Sequence, residues 1–155
     1  MSPFGFTPLR RQRAIMSSQD NVALVRRYFD ELCTGRRLDL ADTLFASDCA
    51  FHDPQIPGIV GPKAIADTIK VYQTSVEGHW AIEDIFGCDD RVAVRWTGSG
   101  VHSGDVMGLA ATGKAVRVDA ISIFRIANGK IAETWEVWDT LGFLQQLGVV
   151  PKQGA

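Results

Sequence analysis

The apolar positions change period once along the chain. Over DNVALVRRYFDELCTG, Val22, Val25, Phe29 and Leu32 recur at three- and four-residue steps. Leu24 and Tyr28 widen that stripe, so the spacing predicts an amphipathic helix. Ser17 or Ser18 can cap its start, and Gly35 follows its last turn, where a left-handed residue is favoured. A short second helix fits LDLADTLFA, with Leu40, Leu44 and Phe45 as its buried side. CAFHDP then reads as a brief strand stopped by Pro54. A third helix fits GPKAIADTIKVYQTSV, with Pro62 in its first turn and Ile65, Ile69, Tyr72 and Val76 as a stripe.

After Gly78 the pattern becomes strand-like. HWAIEDIFGC, RVAVRWTGSGVHSG, AVRVDAISIFRI and KIAETWEVWD are rich in Val, Ile, Trp and Phe, with turn residues between them. Asp89-Asp90 and Asn128-Gly129 mark two hairpin turns. DTLGFLQQLG closes the chain as a short helix lined by Leu141, Leu144 and Leu147. Asp139 is placed to cap it. Helices first and consecutive strands afterwards predict an α+β fold, with an antiparallel meander offering one face to the early helices.

The segment KIAETWEVWD carries Glu133, Glu136 and Asp139 within ten residues. Side chains alternate along a strand, so Glu136 faces away from the other two. Which side is inside depends on the hairpin before it. A three-residue loop with Gly129 left-handed sets Ala127 across from Ile131, Phe124 from Thr134 and Ser122 from Glu136. Ala120, Ser122, Thr134, Glu136 and Trp138 then share a face, while Arg125 and Glu133 make a surface pair on the other. A two-residue Asn-Gly loop slips the register by one and pairs Ser122 with Trp135. Periodicity leaves both registers open.

Composition narrows the function classes. The 155 residues are 46% hydrophobic and 22% charged, with a formal net charge of −2, a balance that fits one globular domain and offers no basic field for nucleic acid. No apolar run approaches the roughly 18 residues that a membrane helix needs. Cys33, Cys49 and Cys88 are odd in number and lack metal-ligand spacing, so they read as reduced thiols of a cytoplasmic protein. The first residues hold three arginines and no acid before Asp20, as a transit peptide does, but are short and lack an amphipathic period. Residues 1–17 are therefore expected to be an unstructured extension, with Met16 as an alternative start, and 18–150 a single domain.

VRRYFDEL, FHDP, RVAVRWTGSGVHSGDVMGLAATGK and FRIANGKIAETWEVWDTLGFLQQLG, together spanning residues 20 to 148, resemble the SnoaL-like polyketide cyclase family within the nuclear transport factor 2-like superfamily. The resemblance implies a cone: a curved antiparallel sheet packed on three N-terminal helices around one deep apolar pocket. It implies a general acid/base on the last strand, at the position of Glu136, where the family has Asp. A second polar position of the family, His or Asp in relatives, falls on Ser122, and a histidine common before Trp135 is Thr134. His52 and His102 retain histidines of the family pattern.

The activity implied is cofactor-independent and metal-free proton chemistry on a hydrophobic, polyketide-like carbonyl compound: aldol-type cyclisation, or a related isomerisation or dehydration. Ketosteroid isomerase, of the same superfamily fold, moves protons with a carboxylate and no cofactor. Glu136 is the expected base, its pKa lifted above the ordinary value of about 4.3 by burial. His52 and His102 are expected to serve an oxyanion. Ser122, Trp138, Trp96, Tyr72, Thr134 and Ala120 are expected to line the substrate pocket. The departures at Ser122 and Thr134 favour as a runner-up a non-catalytic small-molecule binding protein. Epoxide hydrolysis would need an Asp–Arg–Asp set, for which Asp119 and Arg117 are the nearest candidates. A homodimer or tetramer is expected in each case, because the convex sheet face needs cover.

Overall fold

The computed structural model describes residues 17–152 and 154. The expected extension at residues 1–17 therefore lies, apart from Ser17, outside the described residues. Helix α1 (Ser18–Arg27) starts with a reciprocal cap: the Asp20 amide donates to the Ser17 hydroxyl, and the Ser17 amide donates to the Asp20 carboxylate. The helix runs on as a π-helical segment, Tyr28–Thr34. Gly35 does not take the expected left-handed conformation; Arg36 does, at φ 60°. Gly35 is needed for closeness instead, since a Cβ there would sit 2.5 Å from the Glu31 carbonyl oxygen.

The second helix is shorter than its pattern suggests. A 3-10 turn, Leu38–Leu40, leads into α2 (Ala41–Leu44), and Phe45 already opens β1 (Phe45–Asp53). Next come β2 (Ile56–Val60), α3 (Pro62–Ser75), β3 (His79–Cys88), β4 (Arg91–Val101), β5 (Ala115–Ala127), β6 (Lys130–Trp138) and α4 (Thr140–Leu147). The order in the curved six-stranded sheet is β2-β1-β6-β5-β4-β3. The expected meander is β3 to β6. Strand β1 joins it by lying parallel to β6, with Phe51 opposite Thr134 and His52 opposite Trp135.

Both hairpin readings of the sequence are partly correct. Asn128 (φ 52°) and Gly129 (φ 75°) form a two-residue loop between the paired residues Ala127 and Lys130, as a primed turn requires. The register then shifts, because Arg125 faces Glu133 while Ile126 faces Ile131, leaving Ala132 as an extra residue. That bulge restores Ser122 opposite Glu136 and Phe124 opposite Thr134. The anticipated pairing past the turn is reached with the extra residue three positions later than Gly129.

The concave face of the sheet and the helices enclose the core. Tyr28, Phe29, Phe45 and Phe124 meet edge to face at centroid distances of 5.0 to 6.0 Å, and Phe29 also meets Trp96 at 5.8 Å. Such pairs contribute about 0.5–1.5 kcal/mol each beyond the area they bury. This aromatic layer closes the narrow end of the cone and leaves the wide end hollow. A second buried cluster, Val76, Val106, Val116, Phe143 and Leu147, seats α4 against β5. Asp139 caps α4 by accepting from the Gly142 amide at 2.8 Å.

Candidate active site

The hollow end contains a pocket of about 670 Å³ of empty space, part of it open at the mouth. One wall is α3, through Thr68, Ile69 and Tyr72. The sheet supplies Phe51 and Asp53 from β1, Trp80 from β3, Trp96 from β4, Val116 and Val118 from β5, and Glu136 and Trp138 from β6. Phe143 of α4 closes one side, standing edge-on to Trp138 at 5.6 Å. Aromatic and aliphatic side chains thus form most of the wall, and the polar groups are few.

Glu136 is one of these. The bulge at Ala132 and the alternation of β6 turn it inward, while Glu133 and Trp135 turn outward. Its Oε2 accepts from the Ser122 hydroxyl at 2.8 Å, and the Ser122 oxygen accepts from the indole N–H of Trp96 at 2.8 Å. By surface area Glu136 is half-buried, because the pocket itself counts as exposed surface, yet protein encloses the carboxyl. Desolvation is the main cause that pushes its pKa up, to about 7; the Ser122 hydrogen bond opposes this and the charge of Asp53 reinforces it. A carboxyl that titrates near neutrality can both take and return a proton.

Tyr72 faces the same space from α3, its ring edge-on to Trp138 at 6.1 Å. Burial first, then the charges of Asp53 and Glu136, push the phenol up to about 12. It therefore stays protonated and can donate a hydrogen bond.

The predicted residues fall into three groups. Glu136, Trp138, Trp96 and Tyr72 line the pocket. Ser122, Thr134 and Ala120 are buried on the same sheet face behind it; Ser122 touches Glu136, whereas Thr134 and Ala120 reach only packing positions. The two histidines do not enter the pocket. Alternation on β1 turns Phe51 and Asp53 in and His52 out. There His52 stacks on Trp135 at 5.5 Å and its Nε2 meets Glu133 Oε1 at 3.0 Å. His102 is fully buried but lies behind Phe143, with its ring 6.5 Å from that of Phe143. Its Nδ1 accepts from the Thr112 amide at 3.3 Å and lies 3.0 Å from the Thr112 hydroxyl, which ties down the loop between β4 and β5.

Asp53 is an acidic pocket residue that the sequence reading did not single out, CAFHDP having been read only as a brief strand stopped by Pro54. The signal was available: in FHDP, a strand that buries Phe51 must also turn Asp53 inward. Asp119 and Arg117 are exposed, on the face opposite Ala120 and Ser122, so they do not form the set that epoxide hydrolysis would need. Among the described residues no group of His, Cys, Asp and Glu could hold a metal ion, and no helix is long and apolar enough to cross a membrane.

The family model for SnoaL-like polyketide cyclases matches residues 23–147. Aklanonic acid methyl ester cyclase DnrD of Streptomyces peucetius is 30% identical over 139 residues, covering 86% of this chain and 92% of its own. The cyclase of the same description, DauD, of Streptomyces sp. (strain C5) is 30% identical over 136 residues, with 82% and 81% covered. Among solved structures, TsrD from Streptomyces laurentii superposes with a TM-score of 0.78 at 22% identity, over 87% of this chain and 99% of that one. A match running from α1 through α4 takes in every wall of the pocket, and this chain belongs to the SnoaL-like polyketide cyclase family.

Proposed function

We propose that the protein is a polyketide cyclase that closes a ring in a hydrophobic carbonyl substrate by intramolecular aldol addition. The observation that carries this reading is the Glu136 carboxyl, fixed by Ser122 at the floor of an aromatic pocket and held near neutrality. The two ester cyclases that are 30% identical to this chain over the matched residues support the same reading.

In the reaction, ionised Glu136 takes a proton from the carbon next to a carbonyl, and the electron pair moves onto that carbonyl oxygen. Tyr72 donates a hydrogen bond to an oxygen that becomes negative. The enolate carbon then bonds to a second carbonyl carbon of the same molecule, whose oxygen takes the proton from Glu136. The product is an isomer of the substrate, and Glu136 is returned to its starting state. The aromatic walls bind flat apolar surface and exclude water, which keeps the carboxylate basic.

The test begins with aklanonic acid methyl ester, the compound in the relatives' names. The expected outcome is a product of unchanged mass and altered retention, formed by the wild type and slowed by roughly 10²–10⁴-fold in Glu136→Gln, the usual range for one acid–base group. Full turnover by Glu136→Gln would overturn the assignment. The runner-up reading, a binding protein, is favoured by Ser122 being fully engaged between Trp96 and Glu136 with nothing left to offer a substrate. A ligand bound and recovered unchanged after long incubation would select it.

We also infer a homodimer through the outer sheet face. Ile121, Ile123 and Val137 are exposed there and continue into a groove with Pro54, Ile56 and Pro57. Light scattering is expected to give twice the monomer mass, and a monomer at working concentration would remove this assignment.

A further inference from the structure

The pocket floor holds a second carboxylate, from a different strand. Strand β1 lies parallel to β6 with Phe51 opposite Thr134 and His52 opposite Trp135. That pairing ends at His52 and Trp135; the next residue of each strand, Asp53 and Glu136, turns to the inner face, and both line the same pocket. Ser122 flanks Glu136 on the other side, from β5. Glu136 thus has the Ser122 hydroxyl on one neighbouring strand and the Asp53 carboxylate in the same pocket from the other. Asp53 is 7% exposed and lines the pocket. Its Oδ1 accepts from the Gln55 amide at 2.7 Å, a local turn that fixes the carboxylate in place.

The other groups that face Glu136 leave Asp53 without a rival. Tyr72 comes from α3, and Tyr28 and Cys33 come from the first helix and its π segment; all three are held in their neutral forms by burial. His79 stands at the exposed start of β3, at the mouth. No lysine or arginine is among the residues lining the pocket. The nearest fixed charge on the pocket floor is negative.

We propose that Asp53 is a positioning residue for the acid–base step: its anchored negative charge keeps Glu136 proton-hungry, so that one carboxyl can strip a carbon and then protonate an oxygen. Without that neighbour Glu136 ionises more readily, takes a proton from carbon less well, and spends less time as the acid. The inference rests on the proposed role of Glu136, but it can be read on the ligand-free protein. A purely structural Asp53, holding only the turn at Gln55, would be replaced well by asparagine, which keeps the accepting oxygen, and poorly by glutamate. A charge role ranks the two substitutions the other way.

The experiment labels the glutamate side-chain carboxyls with ¹³C and follows Glu136, identified by its absence in Glu136→Gln, through a pH titration. The wild type should titrate near neutrality. Asp53→Asn should move the midpoint to lower pH, with the acid limb of the rate profile moving in step, and Asp53→Glu should restore both. An unmoved midpoint in Asp53→Asn, or equal midpoints in the asparagine and glutamate variants, would overturn the proposal. Absence of turnover in the wild type would count against the cyclase reading alone, because the titration is measured without substrate.

Discussion

Glu133 and Glu136 lie three residues apart on β6 and are chemically identical, yet the two faces of the sheet give them opposite properties. Glu133 points to the convex side, where it takes His52 Nε2 at 3.0 Å and Arg125 Nε at 3.1 Å. The hydrogen bond with His52, followed by the bond and charge of Arg125, holds it below the usual range for a carboxylate. Glu136 points to the concave side, where it has one neutral hydroxyl donor, an acidic neighbour and aromatic walls, and rises to about 7. One face gives an acid an arginine, a histidine and water; the other gives it one neutral hydroxyl and aromatic walls. The difference shows that the raised pKa of Glu136 is made by the pleat of the strand, and that a one-residue slip would exchange the two environments.

The comparison breaks most completely if the inner acid is neutralised. In Glu136→Gln the predicted loss of turnover is larger than any other single change gives, while the chain keeps its fold, because an amide can still accept from Ser122. Substrate binding, read by quenching of Trp96 and Trp138 fluorescence, should survive. Removing the donor comes next. Ser122→Ala leaves the buried Trp96 indole N–H without an acceptor, which costs roughly 1–3 kcal/mol, measured as a lower denaturant midpoint at unchanged m. The same change takes away the one hydrogen bond that favours ionised Glu136, so the pH midpoint of activity should move up. A downward move would show that Ser122 does not donate to the carboxylate.

Much of this contrast is legible in the sequence, for a stated reason. Period-2 alternation separates Glu136 from Glu133 whatever the fold, and a strand long enough to show it carries the signal within itself. The register across the hairpin was less accessible. The Asn128-Gly129 loop alone indicates one register, and only the extra residue at Ala132 corrects it, which local turn chemistry does not encode. His52 was misplaced because a family pattern fixes a position in the chain and not the side from which it is seen. The inward turn of Asp53, next to it, follows from the same alternation that was applied to β6. His102 shows the remaining gap: its burial behind Phe143 is set by how α4 docks, and no periodicity in GVHSGDVMGLAATG reports that.

The two acids should also mark stability with opposite signs. A carboxyl raised in the folded state binds its proton more tightly there than in the unfolded chain. Glu136 therefore contributes stability that is fully present below 4.5, is lost as pH rises to about 7, and changes no further above that. The slope in that window is about −1.4 kcal/mol per pH unit at most, and the total is on the order of 3 kcal/mol. Urea unfolding of the wild type from pH 5 to 8 should show that decline, and Glu136→Gln should flatten it. A wild-type profile that is flat there would mean the inner carboxyl is solvated.

The smallest effect is expected at the outer acid. Glu133 is lowered in the folded state, so its contribution is present above the unfolded value of 4.5 and disappears as pH falls through the lower folded value. Its partner His52 is exposed and Arg125 is half-buried, and pairs at the surface add little. Glu133→Gln should leave turnover and neutral-pH stability within error of the wild type and soften only the acid limb of the stability curve. If turnover falls instead, the two faces are not independent. The parallel contact of β1 with β6 would be the route, since His52 on Glu133 and Asp53 beside Glu136 are consecutive residues on one strand.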